Sequence, residues 1–347
     1  MDQRDVRGEP EEREERPAAA LRRLVNGYQI SQAIHVATVL GVADHLTAGP
    51  RSGDELAAAT GSHPDALYRL LRALAAVGVF REEPGRRFAL TPLGDCLRAD
   101  APLPVGPWAA FAASPSQWQA WGALLHSVRT GENAFRHVHG ADVWTYRARH
   151  PEAGAAFDRA MTGMTHLGTE AVLASYDFSR FGTIVDVGGG HGLLLAAILT
   201  AHPAARGVLL DQPHVVAGAE EVLRGARVAD RCTIVGGSFF ESVPAGGDAY
   251  LLKQIVHDWE DPEATAILRA CRQAIDPAGR LLVIERDLGG PNALPATKLM
   301  DLQMLVSAGG RERTRDQYAA LFAAAGLRLA GVTPTVADLC ITEAVPV

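Results

Sequence analysis

The segment Asp186-Val187-Gly188-Gly189-Gly190-His191-Gly192 follows an apolar run, Thr183–Val187, and leads into a helix-forming stretch. Glycines at such a turn let the backbone approach a ligand closely and take dihedrals closed to other residues. A dinucleotide fingerprint read from Gly188 needs a glycine at 193, where Leu193 stands, and read from Gly190 it needs one where Leu195 stands. A Walker loop needs a closing Gly-Lys-Ser/Thr, which is also missing. The spacing is G-x-G-x-G, and the acid just before it, Asp186, suits a cationic amino-acid group better than a pyrophosphate. A second acid, Asp211, closes the next apolar run, Val208-Leu209-Leu210, where a carboxylate accepts hydrogen bonds from ribose hydroxyls. Adenosine without phosphate, attached to an amino acid, is the ligand these residues imply: S-adenosylmethionine.

The elements that must carry these residues follow from the alternation after Gly182. Strands are expected at Thr183–Val187, Gly207–Leu210, Cys232–Val235, Ala249–Leu252 and Arg280–Glu285, with helices from about His191, Pro213 and Pro262. This is an α/β pattern, a Rossmann-like doubly wound parallel sheet that binds its ligand at the carboxyl ends of the strands. We assign residues 171–347 to it.

Upstream, residues 104–170 read as a helical linker with scattered aromatics. Four of the five tryptophans lie there, which suits a large flat apolar ligand as well as a core. Residues 21–103 open with apolar residues at helical spacing (Leu21, Leu24, Val25, Tyr28), followed by a helix over 31–46. Cap signatures then stand at Ser52 with Glu55 and at Ser62 with Asp65, and a hairpin over Phe80–Leu90 turns at Pro84-Gly85. The order spells an all-α winged-helix unit carrying a hairpin wing, which invites a DNA-binding or ligand-sensing regulator. Residues 51–100, however, hold seven arginines and seven acids, a balance unlike a phosphate-reading surface. A dimerising role is expected instead. Residues 1–20 carry eleven charged side chains and are expected to be a disordered tail.

The formal charge of -7 gives no general attraction to nucleic acid or anionic lipid, and neither a basic-then-apolar leader nor a long apolar run occurs. The expectation is a cytoplasmic protein with small-molecule partners. Cys96, Cys232, Cys271 and Cys340 form no CxxC pair, and His137 and His139 have no acid or cysteine at ligand spacing, so no metal is expected.

The run Asp248-Ala249-Tyr250-Leu251-Leu252-Lys253-Gln254-Ile255-Val256-His257-Asp258-Trp259 resembles class I S-adenosylmethionine-dependent O-methyltransferases. These are the enzymes related to plant caffeate and flavonoid methyltransferases and to bacterial enzymes that tailor polyketides, anthracyclines and mitomycin-type quinones. The later run Gly309-Gly310-Arg311-Glu312-Arg313-Thr314 and the stretch Phe157–Met161 match the same family, and the likeness spans nearly everything after the tail. It implies a homodimer paired through the N-terminal unit. It also implies that Gly188 and Gly190 line the methionine part of the cofactor, Asp211 the ribose, and Phe239 and Trp259 the two faces of the adenine. Lys253 would reach the cofactor from its strand end and Thr165 would bond its carboxylate. At Gly237-Ser238-Phe239 the family often has an aspartate where this chain has Ser238, so weaker adenine recognition is expected.

By the same resemblance His257 is the general base, with Glu285 and Glu312 orienting and polarising it. The chemistry is sound: a phenol with pKa about 10 is a poor nucleophile at neutral pH, and an imidazole near 6.5 is mostly free to take its proton. The expected reaction is methyl transfer to a hydroxyl of an aromatic small molecule, with Trp118, Trp121, Phe157, Met161 and Met304 as acceptor-pocket candidates. A relative drifted to hydroxylation, decarboxylation, or C- or N-methylation is the alternative.

Overall fold

Cap chemistry lays out the N-terminal helices. Ser52 Oγ accepts from the Glu55 N–H at 3.2 Å while the Glu55 carboxylate accepts from the Ser52 N–H at 2.6 Å, and helix Gly53–Thr60 starts there as expected. The second cap differs. His63, not Ser62, caps helix Pro64–Ala76, because Pro64 takes the first helical position, where a missing N–H is harmless. That helix buries Leu67, Leu71 and Leu74.

The computed structural model describes residues 16–347, which fall into one unit ending at Gly94 and another beginning at Asp95. Residues 1–15 of the expected tail lie outside the described residues, and helix Pro17–Val25 begins within its last few positions, with proline at the start. The single helix expected over 31–46 is two, Gly27–Val39 and Val42–His45, parted at Gly41 by a left-handed φ of 63°. The helices of this unit carry a three-stranded antiparallel sheet, with strands β1 (Arg51–Ser52), β2 (Phe80–Glu83) and β3 (Arg87–Leu90) in the order β1-β3-β2. The expected hairpin is β2–β3, and β1 was not foreseen.

The second unit holds a seven-stranded sheet. β4 (Thr183–Val187), β5 (Arg206–Asp211), β6 (Cys232–Gly236), β7 (Ala249–Lys253) and β8 (Arg280–Glu285) are parallel, at the expected places. β9 (Leu327–Pro334) and β10 (Cys340–Pro346) form an antiparallel hairpin added beyond β8, so the sheet is mixed, in the order β6-β5-β4-β7-β8-β10-β9. Alternate residues of the central strands face opposite layers. Ile184, Leu251 and Leu282 join one core with helix Leu193–Ala201, while Val185, Leu252 and Val283 join another with helix Asp261–Ala274. The chain runs outward from β4 to β6, then returns to β7 on the other side of β4, which opens a crevice at their carboxyl ends. Among the described residues no helix is long and apolar enough to cross a membrane.

Candidate active site

The glycine loop leaves β4 with Gly188 at φ 72°, where a Cβ would stand 2.6 Å from Ile255 Cδ1; only glycine fits both constraints. Gly190 faces open space at φ 60°, and its N–H donates to Asp211 Oδ2 at 2.8 Å. The Gln212 N–H donates to Asp211 Oδ1 at 2.7 Å, so the strand-end carboxylate is fixed by backbone while each oxygen keeps capacity for another donor. Burial raises the Asp211 carboxyl, against the pull of these two N–H groups.

Asp186 is 2% exposed, and burial pushes its carboxyl up to about 7 although Lys253 draws it down. Burial likewise lowers Lys253 to about 8, against the attraction of Glu285 and Asp186. Lys253 Nζ donates to Thr165 Oγ1 at 3.2 Å and to Gln254 Oε1 at 2.7 Å. Two residues 88 positions apart thus meet at the end of β7.

His257 sits on the turn Val256–Asp258 just after β7, and it is buried. Its Nδ1 lies 2.9 Å from Glu312 Oε1 and 3.5 Å from Glu285 Oε2. Glu285 Oε1 accepts the N–H groups of Ile255 and Val256 at 3.0 and 2.9 Å, so this carboxylate holds the turn as well as the ring. Burial by itself lowers the imidazole, but Glu285, Glu312 and Asp258 together outweigh it and raise His257 to about 10. Glu285 is raised to about 7, chiefly by burial, against the attraction of His257. The hydrogen bond to Glu312 assigns the proton to Nδ1, and Nε2, 3.8 Å from Asp258 Oδ1, is left as the proton acceptor of the neutral ring. His257, Glu285 and Glu312 are close enough to hold a metal. Glu312 Oε1 is engaged with the ring and Glu285 Oε1 with backbone N–H groups, while the second oxygen of each carboxylate is buried without a hydrogen-bond partner.

The distant run 309–314 clamps this turn. A Cβ on Gly310 would stand 2.1 Å from the His257 carbonyl oxygen, so the two backbones touch only because the residue is glycine. The Arg311 N–H donates to that carbonyl at 2.8 Å. The buried Arg313 guanidinium donates to the carbonyls of Val256 (3.0 Å) and Trp259 (2.8 Å) and to Asp261 (2.8 Å).

One cavity joins the glycine loop to His257. Of the expected cofactor residues, Thr165, Asp186, Gly188, Gly190, Asp211, Phe239, Lys253 and Trp259 line it. Gly237 and Ser238 do not, and Ser238 Oγ accepts the Phe240 N–H instead, at 3.3 Å, which shapes the turn. Phe239 and Trp259 are 6.3 Å apart but perpendicular (84°), so they are not the parallel walls expected for a ring held by two faces; Trp259 stacks instead on Trp144 (17°).

Of the acceptor candidates, Phe157, Met161 and Met304 line the cavity. Trp118 and Trp121 do not: Trp118 is 39% exposed, and Trp121 packs on the core around Phe135 and Val306 while its Nε1 donates to Gln303 at 2.6 Å. Glu285 and Glu312 stand behind His257, outside the wall. Trp108, Phe111, Trp144 and Arg147 also line it and were not singled out as site residues. Their spacing at 144 and 147 is a helical-face signal, but it does not say what the face meets.

The chain is similar to known proteins over nearly its whole length. An O-methyltransferase domain matches residues 121–328 and an O-methyltransferase dimerisation domain matches residues 22–100. Phenazine O-methyltransferase PhzM of Lysobacter antibioticus is 44% identical over 331 residues, covering 95% of this chain and 96% of that protein. Mitomycin biosynthesis 6-O-methyltransferase of Streptomyces lavendulae is 44% identical over 308 residues, 88% of each. The O-methyltransferase NcsB1 from neocarzinostatin biosynthesis, solved with S-adenosylmethionine and 2-hydroxy-5-methyl naphthoic acid, superposes with a TM-score of 0.79 at 37% identity, covering 92% of this chain and 96% of that one.

Proposed function

The chain belongs to the O-methyltransferase family and is an S-adenosylmethionine-dependent methyltransferase, and from that premise we propose how its residues move a methyl group to an aromatic hydroxyl in natural-product tailoring. One observation carries the reading. His257, with Glu285 and Glu312 behind it, opens on the same cavity as the glycine loop and Asp211.

The donor set fits the cofactor. Asp211 would accept from the ribose hydroxyls, Gly188 and Gly190 would leave room for the methionine chain, Asp186 would face its ammonium, and Lys253 with Thr165 would hold its carboxylate. Phe239 and Trp259 would hold the adenine. When bound, the cofactor supplies an activated methyl on a sulfonium sulfur. Phe157, Met161 and Met304 hold the acceptor ring with its hydroxyl at His257 Nε2. The neutral imidazole takes the hydroxyl proton as the oxygen attacks, and Glu312 and Glu285 stabilise the imidazolium that results. Such proton removal contributes on the order of a hundred- to ten-thousand-fold. Aligning the reactants for in-line displacement contributes about 7–11 kcal/mol, the larger share. Partial neutralisation of charge in the transition state further favours a dry apolar cavity.

The dimerisation-domain match supports a homodimer, and so do Leu21, Leu24 and Val25, all more than 60% exposed on helix Pro17–Val25. Light scattering giving a monomer mass would retire that part. The cytoplasm is the proposed compartment.

The test is incubation of the purified protein with S-adenosylmethionine and a panel of catechols, hydroxyquinones and polycyclic phenols, read by mass spectrometry. Products heavier by one methylene are expected, with the new methyl on oxygen. Products heavier by one oxygen, or a methyl on carbon or nitrogen, would replace this reading.

A further inference from the structure

Arg147 is a cation in the cavity wall whose buried Nη1 has no hydrogen-bond acceptor. Its guanidinium lies 3.5 Å from the Phe157 ring centre, 5.0 Å from Trp144 and 5.6 Å from Phe111, an aromatic cage on three sides. It donates no hydrogen bond to any described residue, and its Nη1 is fully enclosed. Burial lowers Arg147 to about 10, and the attraction of Asp258 and Asp158 restores part of this, yet neither acid comes within ion-pair distance. Those acids offset charge without satisfying donors. One helical turn earlier, Trp144 Nε1 is also buried without a partner, and both residues line the cavity from helix Val143–Arg149. Buried donors left unpaired are costly, and two that are neighbours at i,i+3 on one helix face can share an acceptor.

We propose that Arg147 and Trp144 recognise a carboxylate on the aromatic acceptor, so that the preferred substrates are hydroxylated aromatic acids. A planar carboxylate matches the guanidinium fork in a way that a neutral phenol or quinone does not. The methionine carboxylate of the cofactor is not the group in question, because the proposed residues for it are Lys253 and Thr165, and the charged groups acting on Lys253 are Glu285, Asp186 and Arg286, with Arg147 not among them. Asp258 links the anion site to the base, since it attracts Arg147 and lies 3.8 Å from His257 Nε2.

This inference specifies the acceptor within the proposed reaction, and its test separates the two. Calorimetry of the S-adenosylhomocysteine-saturated protein with 2-naphthoate, which has no hydroxyl to methylate, reads the anion site alone. Binding of 2-naphthoate but not of 2-naphthalenemethanol is expected. Arg147→Met, which keeps an apolar chain over Phe157, is expected to weaken 2-naphthoate about ten- to a hundredfold. Trp144→Phe should weaken it less, and Arg147→Lys should give an intermediate value. Titration with S-adenosylhomocysteine should be unchanged in Arg147→Met, which also shows the variant is folded. With hydroxynaphthoates and naphthols as acceptors, the wild-type preference for the acid should disappear in Arg147→Met through KM.

Equal binding of the two naphthalene probes would overturn the proposal. So would loss of 2-naphthoate affinity in Arg286→Met but not in Arg147→Met, or loss of S-adenosylhomocysteine affinity in Arg147→Met. Arg147-dependent 2-naphthoate binding with no methylation of any phenol would uphold the anion site and remove the O-methylation reading.

Discussion

Replacing Glu312 by glutamine keeps the side chain's shape and its oxygen near His257 Nδ1, but removes one of three carboxylates acting on a buried imidazole. Because those carboxylates hold His257 at about 10, the ring is mostly protonated at neutral pH, and only its neutral form accepts a proton. The rate kcat/KM with a phenolic acceptor should therefore rise with pH from neutrality toward that value. A single opposite charge at contact shifts a pKa by about 1–3 units. At about 1.4 kcal/mol per unit, Glu312 contributes about 1.4–4 kcal/mol to holding the imidazolium. In Glu312→Gln the rising limb should move down by about 1–3 units, while the alkaline plateau falls because a weaker base takes the proton.

Stability obeys the same linkage. A folded pKa raised above the unfolded value of about 6.5 stabilises the protein fully below 6.5 and is lost as pH rises through about 10. The variant's deficit should therefore be largest near pH 6 and shrink toward pH 10. The assays are initial rates across pH and urea midpoints at the two extremes. A limb that stays in place in Glu312→Gln would refute the argument, since the proton on His257 would then not be governed by this carboxylate.

Three further outcomes follow from the geometry. His257→Ala should leave S-adenosylhomocysteine affinity intact and lower kcat by about a hundredfold or more, and an unchanged rate would remove its role as base. Asp211→Ala should weaken S-adenosylhomocysteine in calorimetry, because it loses both a ribose acceptor and the anchor of the Gly190 N–H; unchanged affinity would contradict the cofactor placement. Gly310→Ala places a methyl against the His257 carbonyl and should destabilise the fold by about 1–3 kcal/mol in urea and lower kcat. A wild-type midpoint and rate would mean that the contact yields without consequence.

The glycine loop and the strand-end acid were legible as neighbours on one cavity because their determinants are local. A glycine loop and an acid at a strand end act on neighbours a few residues away, so G-x-G-x-G after Asp186, followed by Asp211, states its chemistry in one dimension. The resemblance carried His257, Glu285 and Glu312 residue by residue, and the fold brings all three within contact. The parallel strands were equally plain, since strands buried on both faces read as apolar runs.

What the tertiary structure decided depends on which helix faces meet. Helical spacing marks an apolar face but not its partner: Trp118 and Trp121 are expected in the cavity wall and lie outside it, while Trp144, no pocket candidate by sequence, lines it. Ser238 and the perpendicular rings of Phe239 and Trp259 belong to the same class, because a side chain's direction in a turn is set by its neighbours in space. Gly310 and Arg313 act on a turn more than 50 positions earlier, and Arg147 becomes a recognition group only because the fold encloses it without a partner. Sequence thus determined the reaction's chemistry through short-range pattern, while the acceptor side was decided by long-range packing, which no spacing along the chain encodes.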